Sequence, residues 1–361
     1  MQAPAQTEGG RRDPLAGKLP VTLITGFLGS GKTTLIRRLL RDPRMNRAAV
    51  IINEFGEVGI DHELVAASSE RMTLLSNGCL CCTVRTDLQE TLRELFIKRR
   101  AGEVIDFDRV FVETTGLADP VPVLHTLQTD GLLGAQYRLD CVVTLVDAVN
   151  GMDNLDNVPE AAKQVAVADR ILITKTDLAE RDAVAALEER LQAMNPYAAR
   201  AIAVNGEVDV AFLHDVGLRN ARATLPDVDR WLAPSGMGER PAEGAYLGER
   251  ARAGTHGASI RSFCLWFDQP FTWETFSAAV QVLTSLRGRD LLRVKGLVNV
   301  LGEPGPVVVQ GAQHLFHPPV TLEAWSGDER RSRLVFITRN LPRDAVAALF
   351  AAVGMLDSPK S

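Results

Sequence analysis

The sequence lacks an apolar run long enough to cross a bilayer, and it lacks a strong charge of either sign. Residues 1–20 are polar, carry Arg11 and Arg12, and contain no apolar segment of the secretion-signal type. The net charge of −5 at pH 7 gives no basic excess of the kind that indicates nucleic-acid binding. We therefore expect a cytoplasmic protein that binds neither membranes nor nucleic acids.

Cysteine is scarce: there are five among 361 residues, and three of the five fall within Cys79–Cys82. Thiols stay reduced in the cytosol, so clustered cysteines there indicate metal or redox chemistry rather than structural disulfides. Cys141 and Cys264 lie inside apolar strand patterns, and we interpret both as core residues.

The clearest motif is a glycine-rich loop, residues 26–33, which fits G-x-x-x-x-G-K-[ST] at every fixed position. The apolar run before it predicts a buried strand, and the amphipathic run after it predicts a helix. This is the context of a phosphate-binding loop rather than of a simple turn. Lys32 would reach the β- and γ-phosphates, and Thr33 would ligate Mg²⁺. The nucleotide contacts expected from this segment are Gly26, Gly29, Ser30, Gly31, Lys32, Thr33 and Thr34.

Two later segments complete a nucleotidase pattern. The strand pattern Arg109–Val112 ends at Glu113 and a glycine-containing loop, which is where such enzymes hold Mg²⁺ and sense the γ-phosphate. We therefore expect Lys32, Thr33 and Glu113 to be catalytic. The tetrapeptide Thr174–Asp177 follows another strand pattern and predicts a guanine clamp, in which a carboxylate accepts hydrogen bonds that adenine cannot donate. A solvated turn, or an ATP-using kinase, is the alternative.

The motif Cys79-x-Cys81-Cys82 predicts a metal site. Adjacent cysteines can face one ion only if the backbone turns, which Gly78 permits. Two or three thiolates leave an exchangeable position, and this suits metal delivery better than a closed structural site. Buried apolar cysteines and a redox switch are the alternatives. His62 and His125 are candidate further ligands, although we interpret each as a loop or helix-surface histidine.

The pattern of strands and helices predicts four segments. Residues 1–18 are expected to be a disordered tail, and residues 19–205 an α/β domain with a mostly parallel sheet covered by helices. Residues 206–258, rich in glycine, proline, glutamate and arginine, are expected to be a linker. Residues 259–361 predict a smaller α+β domain with a mostly antiparallel sheet.

Taken together, these motifs resemble the CobW family of metal-trafficking P-loop GTPases, relatives of HypB and UreG. The resemblance covers nearly the whole chain past the tail and includes residues 53–57, 78–82, 113–120 and 293–296. It implies a dimerising GTPase domain with Mg²⁺ and GTP, and a transition metal held at Cys81 and Cys82 with Cys79. It also implies slow GTP hydrolysis coupled to handover of the metal to a client metalloprotein.

The resemblance assigns further residues by position. It implies that Glu54 and Glu113 lie near Mg²⁺, that Thr83, Val84 and Arg85 lie near the nucleotide, and that Asn205 belongs to a base-contacting loop. Together with the clamp, the implied nucleotide contacts include Thr174, Lys175, Asp177 and Asn205. Threonine stands at position 174 where the family commonly has asparagine, which predicts a changed contact there.

The sequence therefore predicts a GTP-hydrolysing metallochaperone. Zn²⁺ is the first choice of cargo on thiolate softness, and Co²⁺ is the second. The segment 206–258 holds only His214 and His256, so a metal-buffering linker is not expected. The alternative is a GTP-gated, redox-sensing regulator or scaffold without a metal cargo.

Overall fold

The computed structural model shows two compact units, of which the first holds the phosphate-loop motif and the second the elements from Ile260 onward. None of the helices in the described parts has both the length and the apolar character that crossing a membrane requires. The residues that the structure describes are 17–53, 72–74, 80–84, 88–214, 260–316, 318–325 and 330–356.

The first unit is built on a sheet of eight strands in the order β3-β4-β2-β5-β1-β6-β7-β8. Only the pairing of β3 with β4 is antiparallel, and the other six pairings are parallel. The mostly parallel sheet predicted from the sequence is therefore confirmed. The strands are β1 (Leu19–Gly26), β2 (Ala48–Asn53), β3 (Met72–Leu74), β4 (Leu80–Val84), β5 (Arg109–Glu113), β6 (Tyr137–Asp147), β7 (Arg170–Thr174) and β8 (Ala199–Ala203).

The described part of this unit contains seven helices. They are α1 (Lys32–Leu39), α2 (Leu88–Ala101), α3 (Val121–Thr129), α4 (Gly131–Gln136), α5 (Gly151–Asn157), α6 (Pro159–Val167) and α7 (Arg181–Met194). The sequence patterns do not predict α3 to α6, since helices of six to nine residues complete too few turns for a periodic apolar face. Strand β6 begins at Tyr137, and its first residues pair with Leu19 to Val21 of β1.

The core on one face of this sheet joins the phosphate-loop helix to the strands. Leu35, Ile36 and Leu39 of α1 pack against apolar residues of β1, β2 and β6. Val210 and Leu213 belong to the same core, and the hydroxyl of Thr22 donates to the oxygen of Leu213. The segment predicted to be a linker from residue 206 therefore begins inside the packed unit, since these two apolar side chains are buried there.

The second unit is an α+β unit, as predicted. Its sheet has the order β12-β11-β10-β14-β9, with β13 paired to β11, and all its pairings are antiparallel. Two helices, Trp273–Arg287 and Arg343–Leu356, contribute Phe276 and Phe350 to its core. The elements are β9 (Ile260–Phe267), α8 (Trp273–Arg287), β10 (Leu291–Val298), β11 (Val307–Ala312), β12 (Leu315–Phe316), β13 (Val320–Thr321), β14 (Ser332–Arg339) and α9 (Arg343–Leu356).

The parallel pairings bring the ends of several strands to one edge of the first unit. Ile24 of β1 pairs with Glu113 of β5, and Glu113 pairs with Ile52 of β2. Ile52 in turn pairs with Thr83 of β4. Loops that follow the carboxyl ends of parallel strands carry the ligand sites of open α/β sheets, so this edge is where a site is expected.

Candidate nucleotide site

The phosphate-loop motif lies between β1 and α1, as its pattern predicts. Gly26 has a φ of 143° and Gly31 a φ of 93°, in the region that favours glycine. A Cβ atom on Gly26 would lie 2.5 Å from the oxygen of Leu145, so no larger residue fits at the start of the loop. Gly31 forms the N-cap of α1 without a side-chain cap hydrogen bond, so the loop leads directly into a helix N-terminus. The first N–H groups of a helix have no partner within the helix, and a helix N-terminus is therefore an anion-binding arrangement.

Lys32 folds back onto this loop. Its ammonium group donates to the oxygens of Gly26 at 2.7 Å and Phe27 at 3.1 Å. The side chain is 8% exposed. Burial lowers the pKa of Lys32, while the carboxylate of Glu113 acts in the opposite direction. The cation and the acid predicted to be catalytic are therefore close enough to interact.

Glu113 is the last residue of β5 and is buried. Thr114, the next residue, connects this strand end to β1. Its N–H donates to the backbone oxygen of Ile24, and its hydroxyl donates to the side-chain hydroxyl of Thr25. Thr33 is half-buried and Thr34 exposed in the first turn of α1. A carboxylate and a hydroxyl beside a phosphate loop are oxygen ligands of the type that Mg²⁺ takes.

The loop after Glu113 lies directly against the phosphate loop. A Cβ atom on Gly116 would come within 2.7 Å of the nitrogen and 2.8 Å of the Cα of Leu28. Gln164 of α6 donates from its side-chain amide to the oxygens of Gly116 and Ala118, at 3.1 and 3.0 Å. The sequence reasoning missed Gln164, because no local pattern marks a glutamine that contacts a loop 48 residues away.

The clamp residues follow β7 at the same edge. Thr174 is buried, and its hydroxyl donates to the oxygen of Ser30. Lys175 has a φ of 56° and its ammonium group donates to Asp147 at 2.7 Å. Asp177 is exposed. The backbone thus brings the residues predicted to form the guanine clamp next to the phosphate loop. Asp147 is a partner of Lys175 that the sequence reasoning did not identify.

Asn205, expected in a base-contacting loop, lies exposed in the turn after β8 with a φ of 51°. Its neighbour Gly206 lies against α1, since a Cβ atom there would be 3.0 Å from the oxygen of Thr34. The turn is therefore next to the phosphate-loop helix.

The cysteine motif is described only in part. Cys81 and Cys82 lie in β4, whose backbone is extended and pairs with β2 and β3. The turn that Gly78 would permit lies outside the described residues. Strand β4 continues through Thr83 and Val84 to the edge that carries the phosphate loop. Cys79, Gly78, Arg85, Glu54 and His62 lie outside the described residues.

The other candidate ligand and the core cysteines are described. His125 is exposed on α3. Within the described ranges, no group of three or more histidine, cysteine or acidic side chains is arranged to hold a metal ion. Cys141 is fully buried and Cys264 is half-buried, in β6 and β9 respectively.

A glycine-rich loop at the carboxyl edge of a parallel sheet, with a lysine and an acid beside it, defines a P-loop nucleotide-binding protein. Residues 20–201 match the family model described as "CobW/HypB/UreG, nucleotide-binding domain". Residues 260–354 match that of the "Cobalamin synthesis protein cobW C-terminal domain". The chain therefore belongs to the CobW/HypB/UreG family of P-loop GTPases, which its motifs resemble.

Two relatives and one solved structure align with this chain over almost its whole length. The zinc chaperone YjiA of Escherichia coli is 33% identical, with 93% of this chain and 98% of the relative covered. The zinc chaperone CobW of Pseudomonas aeruginosa is also 33% identical, with 91% and 90% covered. The crystal structure of Zn(II)-bound YjiA GTPase from E. coli is 32% identical, covers 93% of this chain and 99% of its own, and has a TM-score of 0.70.

Proposed function

We propose that this protein is a GTP-hydrolysing metallochaperone that binds Zn²⁺ at Cys79, Cys81 and Cys82 and delivers it to a client metalloprotein. The proposal is supported by the family and by relatives whose names describe zinc chaperones. Co²⁺ is the second candidate cargo, because it also suits thiolate ligands. The proposed place of action is the cytoplasm.

The proposed coupling between nucleotide and metal is supported by the short distance between Glu113 and the cysteine strand. Thr83 and Glu113 pair with opposite sides of Ile52, so that two strand spacings, about 10 Å, separate their backbones. Cys82 and Cys81 directly precede Thr83 on β4. Only β2 therefore separates Glu113 from the strand that carries the cysteines. In this proposal, a displacement of Glu113 on binding or hydrolysis of GTP is passed to that strand through β2.

The residues beside the phosphate loop fit a magnesium ion. Glu113 is 6% exposed, and a buried carboxylate is stable only beside a cation or hydrogen-bond donors. We propose that Thr33, Glu113 and Glu54 hold Mg²⁺, which would neutralise charge on the phosphates when bound. Lys32 then exchanges its two carbonyl partners for phosphate oxygens.

The remaining nucleotide contacts are proposals of the same kind. Lys32 and the loop N–H groups bind the phosphates, Asp177 selects guanine, and the stem of Lys175 lies against the base. Hydrolysis by the protein alone is slow in this proposal, since the nucleotide motifs at residues 26–34, 53–57, 113–120 and 174–177 contain no glutamine or histidine that could orient the attacking water. The other proposed contacts are Gly26, Gly29, Ser30, Gly31, Thr33, Thr34, Thr83, Val84, Arg85, Thr174 and Asn205.

A nucleotide-dependent homodimer is part of the proposal. Large apolar side chains are exposed in the segments that follow four neighbouring strands, β5, β1, β6 and β7, at the nucleotide edge. These side chains are Leu28, Leu117, Val149, Met152 and Leu178. Apolar surface of this kind around a ligand site suits a second copy of the chain that closes over the nucleotide. Sedimentation with a non-hydrolysable GTP analogue should then show a dimer that Leu117→Ser weakens.

The test of metal carriage is a Zn²⁺ competition titration against a coloured chelator, repeated with Co²⁺. It is run with Mg²⁺ and either a non-hydrolysable GTP analogue or GDP, on the wild type and on Cys81→Ser/Cys82→Ser. Cys264→Ser is the matched control, since it removes a thiol from the second unit. We expect tight binding of about one ion per chain, in the GTP form, by the wild type and the control only.

Two other outcomes would contradict the proposal. Zn²⁺ affinity that is the same with GTP analogue and GDP would leave a GTPase without a gated cargo. Weak Zn²⁺ binding together with a reversible disulfide within Cys79–Cys82 would favour the redox-sensing regulator instead.

A further inference from the structure

Gln164 of α6 is a fully buried polar residue that connects three elements of the nucleotide unit. Its side-chain nitrogen donates to the oxygens of Gly116 and Ala118 in the loop after β5. Its backbone oxygen accepts a hydrogen bond from the hydroxyl of Thr144 in β6, at 2.8 Å. Helix α6 is thereby fixed to the sheet at the residue that holds the loop.

The chemistry of these contacts fixes the orientation of the amide. Both loop partners are carbonyl oxygens, which only accept hydrogen bonds, so the NH₂ group of Gln164 must face them. Its oxygen Oε1 is buried and finds no hydrogen-bond partner among the described residues. Holding the loop thus leaves a buried polar atom unsatisfied, which an apolar side chain at this position would avoid.

The contact with Gly116 reaches the phosphate loop. Gly116 lies so close to Leu28 that a Cβ atom on Gly116 would come within 2.7 Å of the backbone nitrogen of Leu28. A rotation of the Gly116 peptide would therefore move this loop relative to the phosphate loop. A second contact, between Lys163 and Asp119 at 3.3 Å, ties the far end of the same loop to α6. Both groups of that pair are partly exposed, so solvent weakens it relative to the buried amide.

We propose that Gln164 is a positioning residue for GTP hydrolysis, which fixes Gly116 against the phosphate loop where the γ-phosphate is bound. The proposal rests on the proposed GTPase function and assigns a residue to it. Only GTP has a γ-phosphate, so loss of the Gln164 side-chain amide should weaken GTP binding and slow hydrolysis. GDP binding should persist, because the contacts to the other phosphates do not depend on this loop. A residue that only stabilises the fold would instead affect both nucleotides alike.

The test compares Gln164→Met, which keeps the length but removes the donor, with Val167→Ala, a buried position on the same helix. Dissociation constants for GDP and a non-hydrolysable GTP analogue, single-turnover hydrolysis rates and melting temperatures are measured for both. For Gln164→Met we expect GDP affinity within about twofold of wild type, and GTP-analogue affinity and hydrolysis lowered about tenfold. Val167→Ala should lower only the melting temperature.

Gln164→Glu provides a second variant of the same length in case the methionine variant does not fold. A carboxyl group buried against two carbonyl oxygens stays protonated, and its single O–H can donate to only one of them, so the loss of GTP-analogue affinity should be smaller than that of Gln164→Met. Equal losses for GTP analogue and GDP, or hydrolysis at the wild-type rate, would overturn the assignment. Wild-type protein that fails to hydrolyse GTP at all would contradict the proposed function instead.

Discussion

The hydroxyl of Thr174 donates a hydrogen bond to the backbone oxygen of Ser30, at 2.8 Å. The same hydroxyl lies 3.4 Å from the oxygen of Val146. The side chain is 6% exposed, so these contacts are shielded from water. Thr174 thus connects the end of β7 to the phosphate loop.

Replacing Thr174 with valine should lower nucleotide affinity without changing the size of the side chain. Loss of a buried hydrogen bond costs about 1–2 kcal/mol, which corresponds to roughly a 5- to 30-fold weaker affinity. GTP and GDP should lose affinity equally, since the loop holds the phosphates that both nucleotides share. Thr174→Ser, which retains the hydroxyl, is the control in a fluorescent-nucleotide titration. Equal affinities for the two variants would contradict a supporting role of this hydroxyl.

The ion pair of Lys175 and Asp147 should make the stability of the nucleotide unit depend on pH. Burial opposes ionisation of this carboxyl, but hydrogen bonds from Lys175, Val149 and Asn150 hold the pKa of Asp147 below its ordinary value. A lowered folded-state pKa stabilises the fold above the unfolded value of about 4, and this contribution is lost as pH falls through the folded value.

Asp147→Asn should therefore be destabilised by about 2 kcal/mol at neutral pH, with the difference from wild type shrinking below about pH 4. Urea unfolding at a series of pH values measures this. Asp153→Asn, an exposed carboxylate on α5, should unfold like the wild type throughout. A constant difference between Asp147→Asn and wild type at all pH values would contradict the role of the charge.

The phosphate loop and its flanking elements were predictable because their signal is local. Fixed glycines, a lysine and an apolar run within residues 21–40 specify strand, loop and helix together. The contact of Gln164 with Gly116 has no such signal, since it depends on how α6 packs across the sheet. The ion pair of Asp147 with Lys175 likewise has no local signal, because it follows from the parallel alignment of β6 and β7.

For the cysteine motif, the local sequence predicts the chemistry but not the backbone conformation. Residue type and clustering predict soft-metal chemistry, but they do not predict that Cys81 and Cys82 lie in an extended strand. That conformation is set by pairing with Val50 and Ile51 of β2, which lie 31 residues earlier in the chain. The residue types of the motif therefore indicate its chemistry, whereas the pairing of β4 with β2 decides how the motif connects to the nucleotide edge.

Nucleotide binding should take up protons at alkaline pH. Burial lowers the pKa of Lys32 from its ordinary 10.5, although Glu113 opposes the shift. Phosphate oxygens favour the charged ammonium, so binding raises this pKa again. Nucleotide affinity should consequently fall as pH rises through the pKa of Lys32 in the free protein.

Calorimetry at about pH 9 in two buffers of different ionisation enthalpy measures the protons taken up on GDP binding. Lys32→Arg is the control, since a guanidinium stays charged at that pH and its uptake should vanish. Identical uptake by wild type and Lys32→Arg would assign the protons to another group.

Asp177 should decide the choice between guanine and adenine. Its exposed carboxylate, at the end of the loop after β7, is free to accept hydrogen bonds from a guanine edge. Asp177→Ala should lower the ratio of GTP to ATP affinity at least about tenfold, mainly by weakening GTP. Asp182→Ala removes an exposed carboxylate from the start of α7 and is the control in a competition assay. An unchanged preference in Asp177→Ala would show that the clamp is elsewhere.

Gly116→Ala should disturb the phosphate loop through direct contact. The added methyl group would come within 2.7 Å of the nitrogen and 2.8 Å of the Cα of Leu28, and backbone atoms of a tight loop yield only at a cost of about 1–3 kcal/mol. We expect GTP hydrolysis to fall at least about tenfold, with a lower melting temperature. Gly131→Ala is the matched control, because a Cβ atom there has no neighbour within 4 Å. If both variants hydrolysed GTP at the wild-type rate, close packing of the two loops would not be needed for turnover.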